Sequence, residues 1–237
     1  MKIGGFQKVS LLDFPAHLSA IVFVKGCNFR CPFCFNRDLV LGNLPTIFEG
    51  KIFSFLKKRK KVLDGVVITG GEPTLQPDLE KFIKKVKKIG YEVKLDTNGA
   101  LPEILKNLIK KKIIDYLALD FKAPLNFSYS QITNYKLQIT NIKKSIKLIL
   151  QSGIPFELRT TVVPGIHNKK TLVLMAKQLR QITNYKLQIT NLKWFLQEFQ
   201  PKTCLDPEFE KIRPYSKIEM EKFLKAVKKI IPAVELR

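Results

Sequence analysis

No apolar run in this 237-residue chain outlasts a β-strand, so neither a membrane-spanning helix nor the hydrophobic stretch of a signal peptide can be built from it. Cysteine is scarce: three residues cluster at 27, 31 and 34 and a fourth stands at 204. That is no disulfide framework, and it fits a reducing, cytoplasmic compartment. Acidic residues are outnumbered, 20 against 42 Lys and Arg, for a formal net charge of +22. Such an excess attracts polyanions without any designed site. Yet the lysines lie in "FLKKRKK" (55–61), "FIKKVKKIG" (82–90) and "LIKKKII" (108–114), among regularly spaced apolar residues, and solvated helix faces account for them. An arginine-and-aromatic patch that could stack unpaired bases is missing, which disfavours nucleic acid as a partner.

What is present is alternation. Short β-branched runs at 19–24, 65–69, 91–96, 115–121, 156–163 and 194–199 read as strands. Between and after them lie helical patterns at 47–60, 78–89, 101–112, 142–152, 168–180 and 216–230. Strand followed by helix, six times over, implies parallel pairing with right-handed crossovers. The expected architecture is α/β, an open partial (β/α)6 TIM-like barrel, in one domain spanning 1–237.

"QITNYKLQITN" occurs at 131–141 and again, letter for letter, at 181–191. A solenoid would repeat whole supersecondary units, and the flanks here do not match. The copies read as a duplicated insertion at joins between elements, where added length costs little and is dispensable.

Cys27, Cys31 and Cys34 could share a helix face, but Pro32 disfavours helical geometry at Cys31, so the segment reads as a loop curling round a ligand. A [4Fe–4S] cluster held by three thiolates keeps one iron open for a substrate or cofactor. A structural zinc would need a fourth ligand, and neither His17 nor His167 stands at finger spacing. Spacing alone leaves both readings open. The lone Cys204 is expected to take no part.

After the next strand, "VVITGGEPTLQPDL" (66–79) sets two glycines before Glu72, so bare backbone can approach a ligand closely. Together, C-x3-C-x2-C with an aromatic before the last cysteine and the G-G-E-P that follows resemble the radical S-adenosylmethionine (SAM) superfamily. The resemblance implies that Cys27, Cys31 and Cys34 hold a [4Fe–4S] cluster whose open iron is chelated by the methionyl amino and carboxylate groups of SAM. One electron then breaks a carbon–sulfur bond, and the resulting 5′-deoxyadenosyl radical abstracts a hydrogen atom. By the same resemblance Phe33 lies beside the adenine, and Gly70, Gly71 and Glu72 receive the SAM amino group.

Further polar residues fall at strand C-termini, where (β/α) barrels place their active sites. In "LDTNG" (95–99) and "LALDFKAP" (117–124), similarity to the activating enzyme of pyruvate formate-lyase implies that Asp96, Thr97 and Asp120 bind a monovalent cation beside the SAM carboxylate. Lys122, and Arg159 in "ELRTTVVPG", would neutralise that carboxylate.

More narrowly, "KIGGFQKVSLLDFP", "TGGEPTLQPDL", "KLDTNGA", "LRTTVVPG" and "CLDPEFEKIRPYS" resemble the anaerobic ribonucleoside-triphosphate reductase activating proteins over almost the whole chain apart from the repeats. The implied activity is installation of a glycyl radical on a partner enzyme, with an electron donor such as flavodoxin or ferredoxin. Alternatives are activation of another glycyl-radical enzyme such as pyruvate formate-lyase, or radical modification of a nucleic acid or small molecule. One departure stands out: Phe35 precedes Asn36 where that group usually carries histidine. It is no cluster ligand, so altered potential or local contacts are expected rather than lost chemistry.

Overall fold

The β-branched runs become strands. In the computed structural model, which describes residues 1–134, 139–183 and 192–237, eight strands follow in chain order. They are β1 (Ile3–Ser10), β2 (Ser19–Val24), β3 (Gly65–Gly70), β4 (Glu92–Thr97), β5 (Tyr116–Asp120), β6 (Phe156–Val162), β7 (Trp194–Glu198) and β8 (Val234–Leu236). The helices are α1 (Arg37–Leu41), α2 (Glu49–Arg59), α3 (Leu79–Ile89), α4 (Pro102–Lys110), α5 (Phe127–Thr133), α6 (Ile139–Gln151), α7 (Lys169–Ile182) and α8 (Lys217–Lys228). The six expected strands are β2 to β7, and their succession with helices gives the expected α/β fold with mainly parallel pairing. Two strands escape the sequence pattern: β1 carries two glycines that blur its alternation, and β8 is too short for a periodic signal.

Contacts group the chain into two compact units. The first comprises Met1–Asn28, Asn36–Thr97 and Glu103–Ala118. There β1 runs antiparallel to β2, while β2, β3 and β4 pair in parallel. Ala20, Ile21 and Val22 in β2, and Val66, Val67 and Ile68 in β3, are all buried, as in parallel strands covered on both faces. Helix α3 explains the lysine runs. Its Leu79, Phe82, Ile83 and Val86, at i, i+3, i+4 and i+7, are buried, each contributing about 1.5–3 kcal/mol. Lys81, Lys84, Lys85 and Lys88 are exposed on the other face.

The second unit comprises Phe29–Phe35, Asn98–Pro102 and Leu119–Arg237, with β6, β7 and β8 pairing in parallel. The fully buried Trp194 donates its indole N–H to Thr160 Oγ1 at 3.0 Å, which satisfies its one polar atom. Helices α7 and α8 open with reciprocal caps, Asn168 with Thr171 and Ser216 with Glu219.

The repeat is more deeply built in than a surface insertion. Gln131–Thr133 close α5, and Ile139–Asn141 open α6. Thr133 is fully buried; its hydroxyl donates to the Tyr129 carbonyl at 2.8 Å and its own carbonyl accepts the Arg30 N–H at 2.7 Å. In the second copy Gln181 and Ile182 end α7, and the Thr183 hydroxyl donates to the Arg180 carbonyl at 2.9 Å. Residues 135–138 of the first copy and 184–191 of the second lie outside the described residues. Among the described residues, no helix is long and apolar enough to cross a membrane.

Candidate functional site

In the first unit, the chain leaving β2 toward Cys27 is fastened on two sides. From one side, Gly71 N–H donates to the Val24 carbonyl at 2.9 Å and Glu72 N–H to the Gly26 carbonyl at 2.8 Å. The turn out of β3 requires glycine: Gly70 has φ +109°, and a Cβ there would stand 2.6 Å from the Val24 nitrogen. From the other side, Gln76 donates its amide to the Lys25 carbonyl at 2.9 Å while its oxygen accepts the Lys2 N–H at 2.9 Å. The G-G-E-P segment therefore does more than face a ligand. It sets where Cys27 begins.

Glu72 is only 1% exposed. Its Oε1 accepts from Thr74 N at 3.0 Å, from the Thr74 hydroxyl at 2.6 Å and from the Thr97 hydroxyl at 2.8 Å. The three donors fix the carboxylate and stabilise its charge without a lysine or arginine in contact through these bonds. Thr97 and Asp96, at the end of β4, are buried. Asp96 Oδ1 lies 3.9 Å from the ammonium of Lys94, two residues earlier on the same strand.

In the second unit, Cys31 is buried and Cys34 half-buried. Cys34 N–H donates to the Cys31 carbonyl at 3.0 Å, closing the turn that Pro32 begins. The outer side of this turn is held from far along the chain: Leu205 N–H donates to the Cys34 carbonyl and Asp206 N–H to the Pro32 carbonyl, both at 2.9 Å. Phe33 is buried at 6% exposure, whereas Phe35 is 64% exposed and belongs to no core. Cys204 is fully buried, and burial pushes its thiol up from the ordinary range.

The end of β5 carries an ionic group. Asp120 pairs with Lys122 Nζ at 3.1 Å, and one of its oxygens takes both Nε and Nη2 of Arg159 at 3.0 Å. Burial opposes ionisation of Asp120, but the two cations outweigh it and hold the carboxyl at about 2. Burial likewise opposes the Lys122 charge, yet the Asp120 carboxylate keeps it protonated well above the ordinary lysine range. Arg159 also faces the fully buried Glu157 at 3.8 Å, which Arg237 pairs at 3.3 Å, so three cations surround two carboxylates and leave room for one further anionic group.

Two residues that sequence reasoning passed over brace this group. His167, 1% exposed, accepts the Val163 N–H on Nδ1 at 3.0 Å, so its proton sits on Nε2, which reaches the Lys122 carbonyl at 2.9 Å. Burial holds the imidazole down at about 4, and it is neutral at pH 7. Tyr129, fully buried in α5, meets the Phe29 ring edge-on at 6.4 Å and places its hydroxyl 3.5 Å from both the Lys122 nitrogen and the Asp120 carbonyl. Nothing in the sequence marks either residue, because each works through backbone atoms, which no side-chain pattern encodes. Gln76 and Lys94 stand within "TGGEPTLQPDL" and "KLDTNGA", where the neighbouring acids carry the motif.

Among the described residues, no three His, Cys, Asp or Glu side chains converge on a single metal ion. A zinc site requires such convergence. A cubane does not, since each thiolate binds a different iron.

Residues 21–177 match the profile of the radical SAM superfamily. The chain is 32% identical over 240 residues to a candidate glycyl-radical enzyme activating enzyme of Methanocaldococcus jannaschii, across 99% of this chain and 95% of that protein. It is 30% identical over 146 residues to a candidate GTP 3′,8-cyclase of Saccharolobus solfataricus, across 60% of this chain and 46% of that one. Among solved structures, Streptococcus suis SuiB bound to precursor peptide SuiA shares the fold, with a TM-score of 0.66 at 16% identity over 92% of this chain and 48% of that one.

Proposed function

The chain belongs to the radical SAM superfamily, whose members use a [4Fe–4S] cluster and SAM, and from that premise we propose that it installs a glycyl radical on a partner enzyme. The observation that carries this is the end-to-end likeness to the M. jannaschii relative, 32% identical over 99% of this chain and 95% of that one, against cyclase relatives that match 60% of this chain at 30% identity or 81% of it at 26%. The finer partner that the sequence motifs favour is an anaerobic ribonucleoside-triphosphate reductase, with flavodoxin or ferredoxin as electron donor.

When bound, the cofactors supply one electron to the sulfonium, releasing methionine and a 5′-deoxyadenosyl radical that takes a hydrogen atom from a glycine Cα and leaves as 5′-deoxyadenosine. The protein's share is position and charge. Cys27, Cys31 and Cys34 would hold the [4Fe–4S] cluster. Gly70 and Gly71 let the backbone come close, and Glu72, fixed by Thr74 and Thr97, presents a carboxylate to the SAM amino group. Lys122 and Arg159, with positive charge to spare beyond Asp120, receive the SAM carboxylate. Phe33 borders the adenine. Lys122 is kept in place by the neutral His167 at its carbonyl.

The test is to combine the anaerobically reconstituted, reduced protein with SAM and the reductase from the same organism, then record electron paramagnetic resonance. A glycyl doublet is expected. A doublet only with another glycyl-radical enzyme, such as pyruvate formate-lyase, corrects the partner. SAM-dependent change in a nucleic acid or a nucleotide, with no doublet on any candidate, overturns the proposal.

A further inference from the structure

The monovalent cation expected at Asp96, Thr97 and Asp120 does not fit the residues as they stand. In the first unit, Lys94 and Asp96 are two apart on β4, so their side chains leave the strand on the same face. Lys94 is 1% exposed. Its ammonium donates to the Asp13 carbonyl at 2.5 Å, faces the Tyr116 ring at 5.3 Å and stands 3.9 Å from Asp96 Oδ1. A buried ammonium is retained only with an anionic partner near it, and Asp96 is that partner. Asp96 Oδ1 is buried, and the ammonium at 3.9 Å acts on it through charge rather than a hydrogen bond. A metal cation brought to the same carboxylate would add a second positive charge within several ångströms of the first, and like charges repel in a poorly screened interior. In the second unit, Asp120 already carries Lys122 and Arg159.

We infer that the Lys94 ammonium is the built-in countercharge of Asp96, so that this protein binds SAM without a monovalent metal ion. The inference rests on the SAM-binding reading above. Lys94 acts as a positioning residue: its tethered charge faces the Asp96 carboxylate at 3.9 Å and takes the role that a diffusible ion would otherwise fill. A tethered ammonium also differs from an ion in consequence. It cannot be washed out or exchanged, so affinity for SAM should not follow the sodium or potassium content of the medium.

The experiment is calorimetric titration of SAM into the anaerobically reconstituted holoprotein, in choline chloride and in potassium or sodium chloride at equal ionic strength. Thermal midpoints are recorded in the same salts without SAM. For the natural chain the dissociation constant should agree within about twofold across the salts, and the midpoints should coincide. Lys94→Met, which keeps the stem and removes the charge, should acquire a dependence, binding SAM about tenfold tighter in potassium than in choline. Tightening of about tenfold by potassium or sodium in the natural chain, or a midpoint that rises with either ion, overturns the inference. If SAM binds in no salt, the SAM-binding reading has failed, and the midpoints still decide whether an ion binds. If Lys94→Met does not fold, the comparison of salts on the natural chain is decisive by itself.

Discussion

Gly71→Ala isolates the joint between the G-G-E-P segment and the approach to Cys27. Gly71 does not sit at positive φ, so alanine is not excluded by backbone conformation. The obstacle is the neighbour: an added Cβ would stand 2.0 Å from the Gly26 carbonyl oxygen and 2.7 Å from its carbon, where ordinary contact begins at 3.4 Å. Both atoms are backbone, so the Gly26 peptide must retreat by well over an ångström. That breaks the 2.8 Å bond from Glu72 N–H, in a residue only 1% exposed. Leaving that donor without its acceptor costs about 1–3 kcal/mol, and overpacking about as much again. A total of about 2–6 kcal/mol is a large share of the stability of a typical domain. The displaced residue also adjoins Cys27, so the loss should concentrate at the cluster. Gly153→Ala is the control: φ there is +72°, nothing lies within 4 Å of its Cβ, and the expected cost is about 1–2 kcal/mol of backbone strain alone. Iron and sulfide per chain after anaerobic reconstitution, with the thermal midpoint of the unloaded protein, provide the assay. Gly71→Ala should lose most of its iron while Gly153→Ala keeps it. Full iron in Gly71→Ala, with a midpoint matching the control, would refute the reasoning.

Cys204→Ser should retain the cluster absorbance, at a cost of about 1–3 kcal/mol for a hydroxyl in a fully buried thiol position, whereas Cys27→Ser should lose it; the reverse pattern would reassign the ligands. Acid should destabilise the fold through His167, whose folded value of about 4 lies below the roughly 6.5 of an unfolded histidine. The unfolded chain binds the extra proton, so stability present above about pH 6.5 falls away toward pH 4, by about 3 kcal/mol in all. His167→Gln should flatten thermal midpoint against pH over that window, and parallel curves for the two proteins would count against a buried neutral imidazole. Excision of 131–141 should abolish cluster loading, because Thr133 carries the Arg30 N–H of the cysteine loop, and excision of 181–191 should leave it. Equal losses in two deletions that both fold would show that the copies share one role.

Strand positions were legible because β2 to β7 are β-branched runs between lysine-rich helical patterns, and local periodicity records both. The three cysteines and Glu72 were legible for a different reason: they lie within short contiguous motifs whose spacing is itself the chemistry. Lys94 was not, although it stands in "KLDTNGA", because a lysine between apolar residues looks like any other in a chain with 42 basic residues, and only burial distinguishes it. His167 and Tyr129 act on the Lys122 main chain across gaps of 45 and 7 residues, contacts that no side-chain pattern encodes. The repeat misled through its own regularity: exact duplication suggests an addition, yet Thr133 of the first copy is fully buried.

The bonds from Leu205 and Asp206 to the cysteine turn bear on how the protein is made. Synthesis delivers Cys27, Cys31 and Cys34 to the tunnel exit early, when no partner for the Pro32 and Cys34 carbonyls yet exists. Those partners are translated only after the five strands β3 to β7 that lie between them and the cysteines. A nascent chain stalled at mid-length would expose three thiols on an unclosed turn, prone to oxidation or to capture by stray metal. Iron delivery therefore belongs after Leu205 and Asp206 have emerged, and whatever escorts the chain until then guards a turn that its own distant residues will close.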